Sequence, residues 1–100
     1  MRAEAIALTY IDPDVSGRAL AWDMAQCRRL ARTLGYTLLA PSELPALGLL
    51  ALVRQTHVDA VLVPSPEHVS PHIVSLLAEM VDIESVRPRR SITRTRARQA

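Results

Sequence analysis

The chain opens with a nearly continuous apolar run, residues 4–11, that stops at the turn Asp12-Pro13-Asp14. A short run of this kind, bounded by a proline turn, predicts a buried strand. The spacing then changes. Leu20, Met24, Cys27, Leu30, Ala31 and Leu34 recur at steps of three and four, which leaves Arg18, Asp23, Arg28, Arg29 and Arg32 for solvent. That period predicts a helix, closed by Gly35, because glycine accepts the left-handed conformation at a helix C-terminus.

Residues 36–40 predict a second strand, ended by Pro41 and Ser42. Residues 43–55 predict a second helix, with Pro45 in its first turn, where a missing N–H is harmless, and an apolar stripe at Leu47, Leu50, Ala51 and Leu52 or Val53. Residues 59–63 are apolar without alternation, as in a strand covered on both faces, and Pro64 and Pro66 end it. Ser70 as N-cap and Pro71 at the first helical position predict a third helix through Ile73, Val74, Leu77, Met80 and Val81. Residues 83–86 predict a fourth strand.

Alternating strands and helices with short links imply an α/β fold: a small three-layer sandwich around a mostly parallel four-stranded sheet. One hundred residues allow one domain. With only three aromatic residues and no Phe, its core has to be aliphatic. The division expected is an α/β body over residues 1–86 and a flexible tail over 87–100.

Charge sharpens that division. Residues 1–86 hold six Arg against ten acids, 6 − 10 = −4, whereas residues 87–100 hold six Arg and no acid, +6. The tail has one lone Ile as a sizeable apolar side chain and is expected not to fold by itself. All twelve basic residues are Arg, a bias that with the many alanines reflects a GC-rich genome more than a biochemical role. The single cysteine, Cys27, has no intramolecular disulfide partner, and no apolar stretch approaches the roughly 18 residues that span a bilayer. A cytoplasmic protein without membrane insertion is expected.

Ligands of open α/β sheets sit beyond the carboxyl ends of the strands, so two turns carry the candidate chemistry. In the first, Asp12 and Asp14 form a carboxylate pair of the kind that holds a hard cation, with Ser16 close behind. The plainer reading is that Asp and Pro form an ordinary turn and that Ser16 caps the following helix. In the second, Glu67 and His68 offer a carboxylate beside a general base, with Ser70 and His72 following. Pro71 starts a helix between His68 and His72, so the two do not share a helical face and no third zinc ligand joins them. No serine lies in a nucleophile elbow and no glycine-rich phosphate cradle is present, so neither metal nor cofactor is expected. Trp22 and Cys27 read as core or half-buried packing residues of the first helix.

Several residues make the chain similar to the N-terminal catalytic domain of the serine recombinases, the resolvases and invertases, over roughly residues 3–86. These are Tyr10 at the first strand's end, Gly35-Tyr36 after the first helix, Pro45-Ala46-Leu47, and the stretch from Asp59 to Pro71. The resemblance implies a resolvase-like fold, and it implies a lost active site. Asp12 stands at the family's first arginine and Asp14 at its nucleophilic serine. With two residues inserted, Ser16 takes the serine's place and Asp14 the arginine's. Leu44 replaces a further arginine, and Glu67, His68 and Pro71 stand where the family has Asp, Arg and Arg, leaving Ser70 as the retained residue of that motif.

Serine attack on a phosphodiester builds negative charge that the family neutralises with arginines, and losing one such donor costs roughly 2.7–4 kcal/mol. A catalytically inactive accessory or regulatory protein is therefore expected. It would associate with DNA through Arg87, Arg89, Arg90, Arg94, Arg96 and Arg98, or with a protein partner through the acidic body. The alternatives are a pure protein-interaction module, or a small enzyme using Asp12, Asp14, Glu67 and His68.

Overall fold

The described residues form five strands in a single sheet: β1 (Ala5–Thr9), β2 (Tyr36–Leu38), β3 (Ala60–Val63), β4 (Asp82–Ser85) and β5 (Arg90–Ile92), in the order β2-β1-β3-β4-β5. The first four run parallel and β5 runs antiparallel to β4. The structure, a computed structural model, describes residues 4–39 and 48–95. Among the described residues four α-helices accompany the sheet: α1 (Pro13–Ser16), α2 (Leu20–Leu34), α3 (Leu49–Thr56) and α4 (Pro71–Leu77).

Period-two alternation divides the strand residues between two faces. Ala7, Ala60 and Leu62 meet Cys27, Leu30 and Ala31 of α2 on one face. Leu8, Val61, Val63 and Ile83 meet Leu49, Leu52 and Val53 of α3 and Leu77 of α4 on the other. The result is the expected three-layer α/β arrangement with an aliphatic core. Leu8, Leu62 and Leu77 are completely buried, each worth about 1.5–3 kcal/mol of hydrophobic stabilisation.

The predicted helix ends rest on the expected chemistry. Gly35 adopts φ 83° and closes α2, and its N–H donates to Ala31 and Arg32 carbonyls. Ser70 caps α4 by accepting from the Ile73 N–H, with Pro71 at the first helical position. α4 ends at Leu77, before Met80 and Val81, which lie in the turn to β4. α3 begins at Leu49 after Gly48; Leu52 and Val53 are buried with Leu49, Leu50 packs half-buried against the same core, and Ala51 is exposed. The stretch expected to open that helix, with Leu44, Pro45 and Leu47, lies outside the described residues.

Two expectations about the C-terminal segment need correction. The sheet has five strands, not four, and the fifth comes from the stretch read as a flexible tail. Composition is silent about β5 because its three residues are all exposed, so no buried apolar run marks it. Its stability comes from pairing with β4 and from polar contacts: Glu84 accepts from the Ser91 hydroxyl and pairs with Arg89 at 2.9 Å. Further on, the Arg94 N–H donates to Asp82 at 2.6 Å and the Thr95 N–H to the Ala78 carbonyl at 2.6 Å. The chain is thus tied to the body as far as Thr95.

Candidate functional site

The strand order reverses direction between β1 and β3, and a crevice of about 420 Å³ opens at their carboxyl ends. Its walls include Tyr10, Asp12, Leu49, His68, Ser70 and Ile73. Four of the sequence-derived positions, Tyr10, Asp12, His68 and Ser70, are brought together here. Asp14 and Glu67 are exposed on their turns and are not among the lining residues.

Asp12, His68 and Ser70 of the crevice are engaged in local structure. Asp12 is the N-cap of α1, with a carboxylate oxygen accepting from the Asp14 N–H at 3.0 Å. Its own N–H donates to Nδ1 of His68 at 2.9 Å, so the buried imidazole joins the two strand-end turns. An acceptor at Nδ1 leaves the neutral ring's proton on Nε2. Asp12 and His68 therefore meet through a backbone amide, and the carboxylate–imidazole contact of an acid–base pair is not formed. Ser70 holds its helix N-terminus, and Glu67 accepts a long, 3.5 Å hydrogen bond from Ser65. Among the described residues no group of three or more His, Cys, Asp or Glu is arranged to hold a metal.

Ser16 departs from its expected role as a helix cap. It ends α1, is buried, and donates from Oγ to Oδ2 of Asp23 at 2.6 Å. Asp23, assigned to solvent on sequence, is only 3% exposed. Its Oδ1 accepts from Arg87 at 3.1 Å, and the Arg87 guanidinium in turn lies 4.4 Å from the centre of the Trp22 ring. Burial pushes the Asp23 carboxyl up, but the hydrogen bonds from Ser16 and Arg87 and the charge of Arg87 outweigh it and hold the group below its ordinary 3.8.

Helical spacing contained the signal that Asp23 is buried. Residues 23, 27 and 30 follow one another at steps of four and three, so Asp23 lies on the same stripe as Cys27 and Leu30. What hid it was its polarity, since the groups that satisfy it come from seven and sixty-four residues away. Cys27 is a core residue as expected, its thiol pushed up to about 12 by burial and by Asp23, with Arg87 opposing. Trp22 is the more exposed of the two: Arg87 covers its ring, and 52% of its surface remains in solvent.

The arginines separate into two sets. Arg87 pairs with Asp23, and Arg89 pairs with Glu84 and donates to the Ser85 and Arg90 carbonyls. Arg90 and Arg94 are exposed and form no ion pair among the described residues, Arg94 reaching the Met80 carbonyl at 3.5 Å. Arg96 and Arg98 lie outside the described residues.

No protein-family model matches the chain, and neither the curated proteins nor the solved structures contain a significant match to it. Among the described residues no helix is long and apolar enough to cross a membrane.

Proposed function

We propose that the protein is a non-catalytic, resolvase-like accessory protein that acts in the cytoplasm and associates with duplex DNA through the arginines following residue 89. The observation that carries this reading is the separation of paired from unpaired charge. Glu4, Asp12, Asp23, Asp59, Asp82 and Glu84 each accept a hydrogen bond from within the fold, so much of the acidic body is engaged internally. The Arg90 and Arg94 side chains, by contrast, face solvent with no ion pair among the described residues, and Arg96 and Arg98 follow in a stretch that contains no acid. Unpaired arginines on a flexible or edge segment attract phosphate backbones without reading bases.

Lack of strand cleavage belongs to the same proposal. In either register of the recombinase resemblance the nucleophile's place is held by Asp14, an acid, or by Ser16, whose hydroxyl is buried against Asp23. Neither register places an arginine on the first turn to neutralise a transferring phosphate.

The test is replacement of Arg90, Arg94, Arg96 and Arg98 together by Gln, with far-UV circular dichroism to check the fold. Duplex binding at low salt is expected to fall by at least about tenfold, as loss of several phosphate contacts requires. Unchanged affinity would overturn the assignment and leave the body as the interaction surface.

A further inference from the structure

We infer that Trp22 and Arg87 form a stacking site for a base of an unpaired nucleic-acid strand. The inference rests on the nucleic-acid reading above and adds to it the state of the strand that this second surface recognises. Trp22 is the sole tryptophan of a chain with three aromatic residues, and even with Arg87 over the ring it leaves 52% of its surface accessible. Burying an indole is among the most favourable contributions available to a binding surface, and Trp with Arg is the pairing most enriched where binding energy concentrates.

Arg87 is held in place from below. One terminal nitrogen, NH2, donates to the buried Asp23 carboxylate at 3.1 Å, and that carboxylate is fixed by Ser16 at 2.6 Å. The guanidinium side chain is nevertheless 48% exposed, and its other two nitrogens make no hydrogen bond among the described residues. It therefore presents a preorganised plane beside an indole, with N–H groups left to reach a phosphate. Arg18, exposed four residues before Trp22 in the turn leading into α2, adds positive charge that is complementary to a phosphate backbone.

Unpaired strands are recognised by this combination, because their bases can leave the stack and lie on an aromatic ring or a guanidinium plane. A duplex keeps its bases stacked and offers this surface phosphates alone. Because Asp23 offsets the charge of Arg87, the stacking contribution should depend weakly on salt, unlike the contribution of the arginines beyond residue 89.

The sole tryptophan makes the test direct. A short oligothymidylate is expected to quench Trp22 fluorescence, whereas the corresponding duplex leaves it unchanged. Trp22→Ala should weaken single-strand binding about tenfold, as removal of one stacking platform does, while duplex affinity stays the same. Arg87→Lys, which keeps the charge beside Asp23 but removes the plane, should weaken single-strand binding in the same direction. Binding of both strands without any fluorescence change would overturn the stacking site and leave the arginine reading intact. Quenching by an acidic peptide and not by the oligonucleotide would overturn it as well, and absence of binding to either nucleic acid would remove both readings.

Discussion

Two acidic loci lie a few residues apart, and they behave in opposite ways. The turn Asp12-Pro13-Asp14 displays its carboxylates near the sheet's carboxyl edge, yet Asp12 caps a four-residue helix and Asp14 faces solvent. Asp23 sits one helix further on, buried, and joins α1, α2 and the segment after β4 through Ser16 and Arg87. The difference teaches that a carboxylate's importance follows its desolvation and the partners that offset it, more than its place beside a strand end. The exposed acids shape a turn, and the buried one organises the molecule.

If that contrast is right, the largest effect should come from unpairing Asp23. Arg87→Ala leaves a buried carboxylate with a single serine donor and should destabilise the fold by about 3 kcal/mol in urea unfolding. Asp23→Ala should cost less, about 2 kcal/mol, because the half-exposed guanidinium regains water when its partner is removed. Equal and small effects from both would mean that the pair is ornamental.

The same pair predicts a pH dependence with a definite sign. Asp23 titrates below its ordinary 3.8 in the folded protein, so the folded state binds fewer protons there than the unfolded chain. The stability it confers is complete above about pH 3.8 and is lost as pH falls through the lower, folded value. The stability gap between the parent and Asp23→Asn should therefore stay constant through neutral pH and close only in strong acid. A gap that closed between pH 5 and 7 would contradict this assignment.

Smaller effects sharpen the comparison. Asp12→Ala removes a helix cap and should cost about 1 kcal/mol, whereas Asp14→Ala should change stability by less than about 0.5 kcal/mol. Thr9 gives a change of opposite sign: its hydroxyl is buried without a partner, so Thr9→Val should stabilise by about 1 kcal/mol in the same unfolding assay. A loss of stability in Thr9→Val would show that the hydroxyl is satisfied in solution.

The elements with a one-dimensional signature were legible in the sequence. The run at residues 60–63 reads as a doubly covered strand, and Ser70-Pro71 and Gly35 mark helix ends by local chemistry that needs no tertiary partner. β5 was not legible, since Arg90, Ser91 and Ile92 are all exposed and are ordered by pairing with β4. For the same reason the strand-end turns could be located in the sequence, but not which of their polar groups the fold engages. Tyr10, Asp12, His68 and Ser70 do meet in one crevice, while the cluster of Trp22, Asp23 and Arg87 depends on a contact sixty-four residues apart in sequence. The excess of Arg beyond residue 86 was plain, but its division into paired and unpaired members could only be seen once Asp23 and Glu84 had been placed.

That division is the central claim, and the salt dependence of duplex binding tests it most directly. Contacts from Arg90, Arg94, Arg96 and Arg98, at about 0.9 per neutralised phosphate, predict that log K falls with log salt at a slope of about −3.6. A slope near −5.4, the value for about six contacts, would show that Arg87 and Arg89 leave their carboxylates for DNA and would contradict the account.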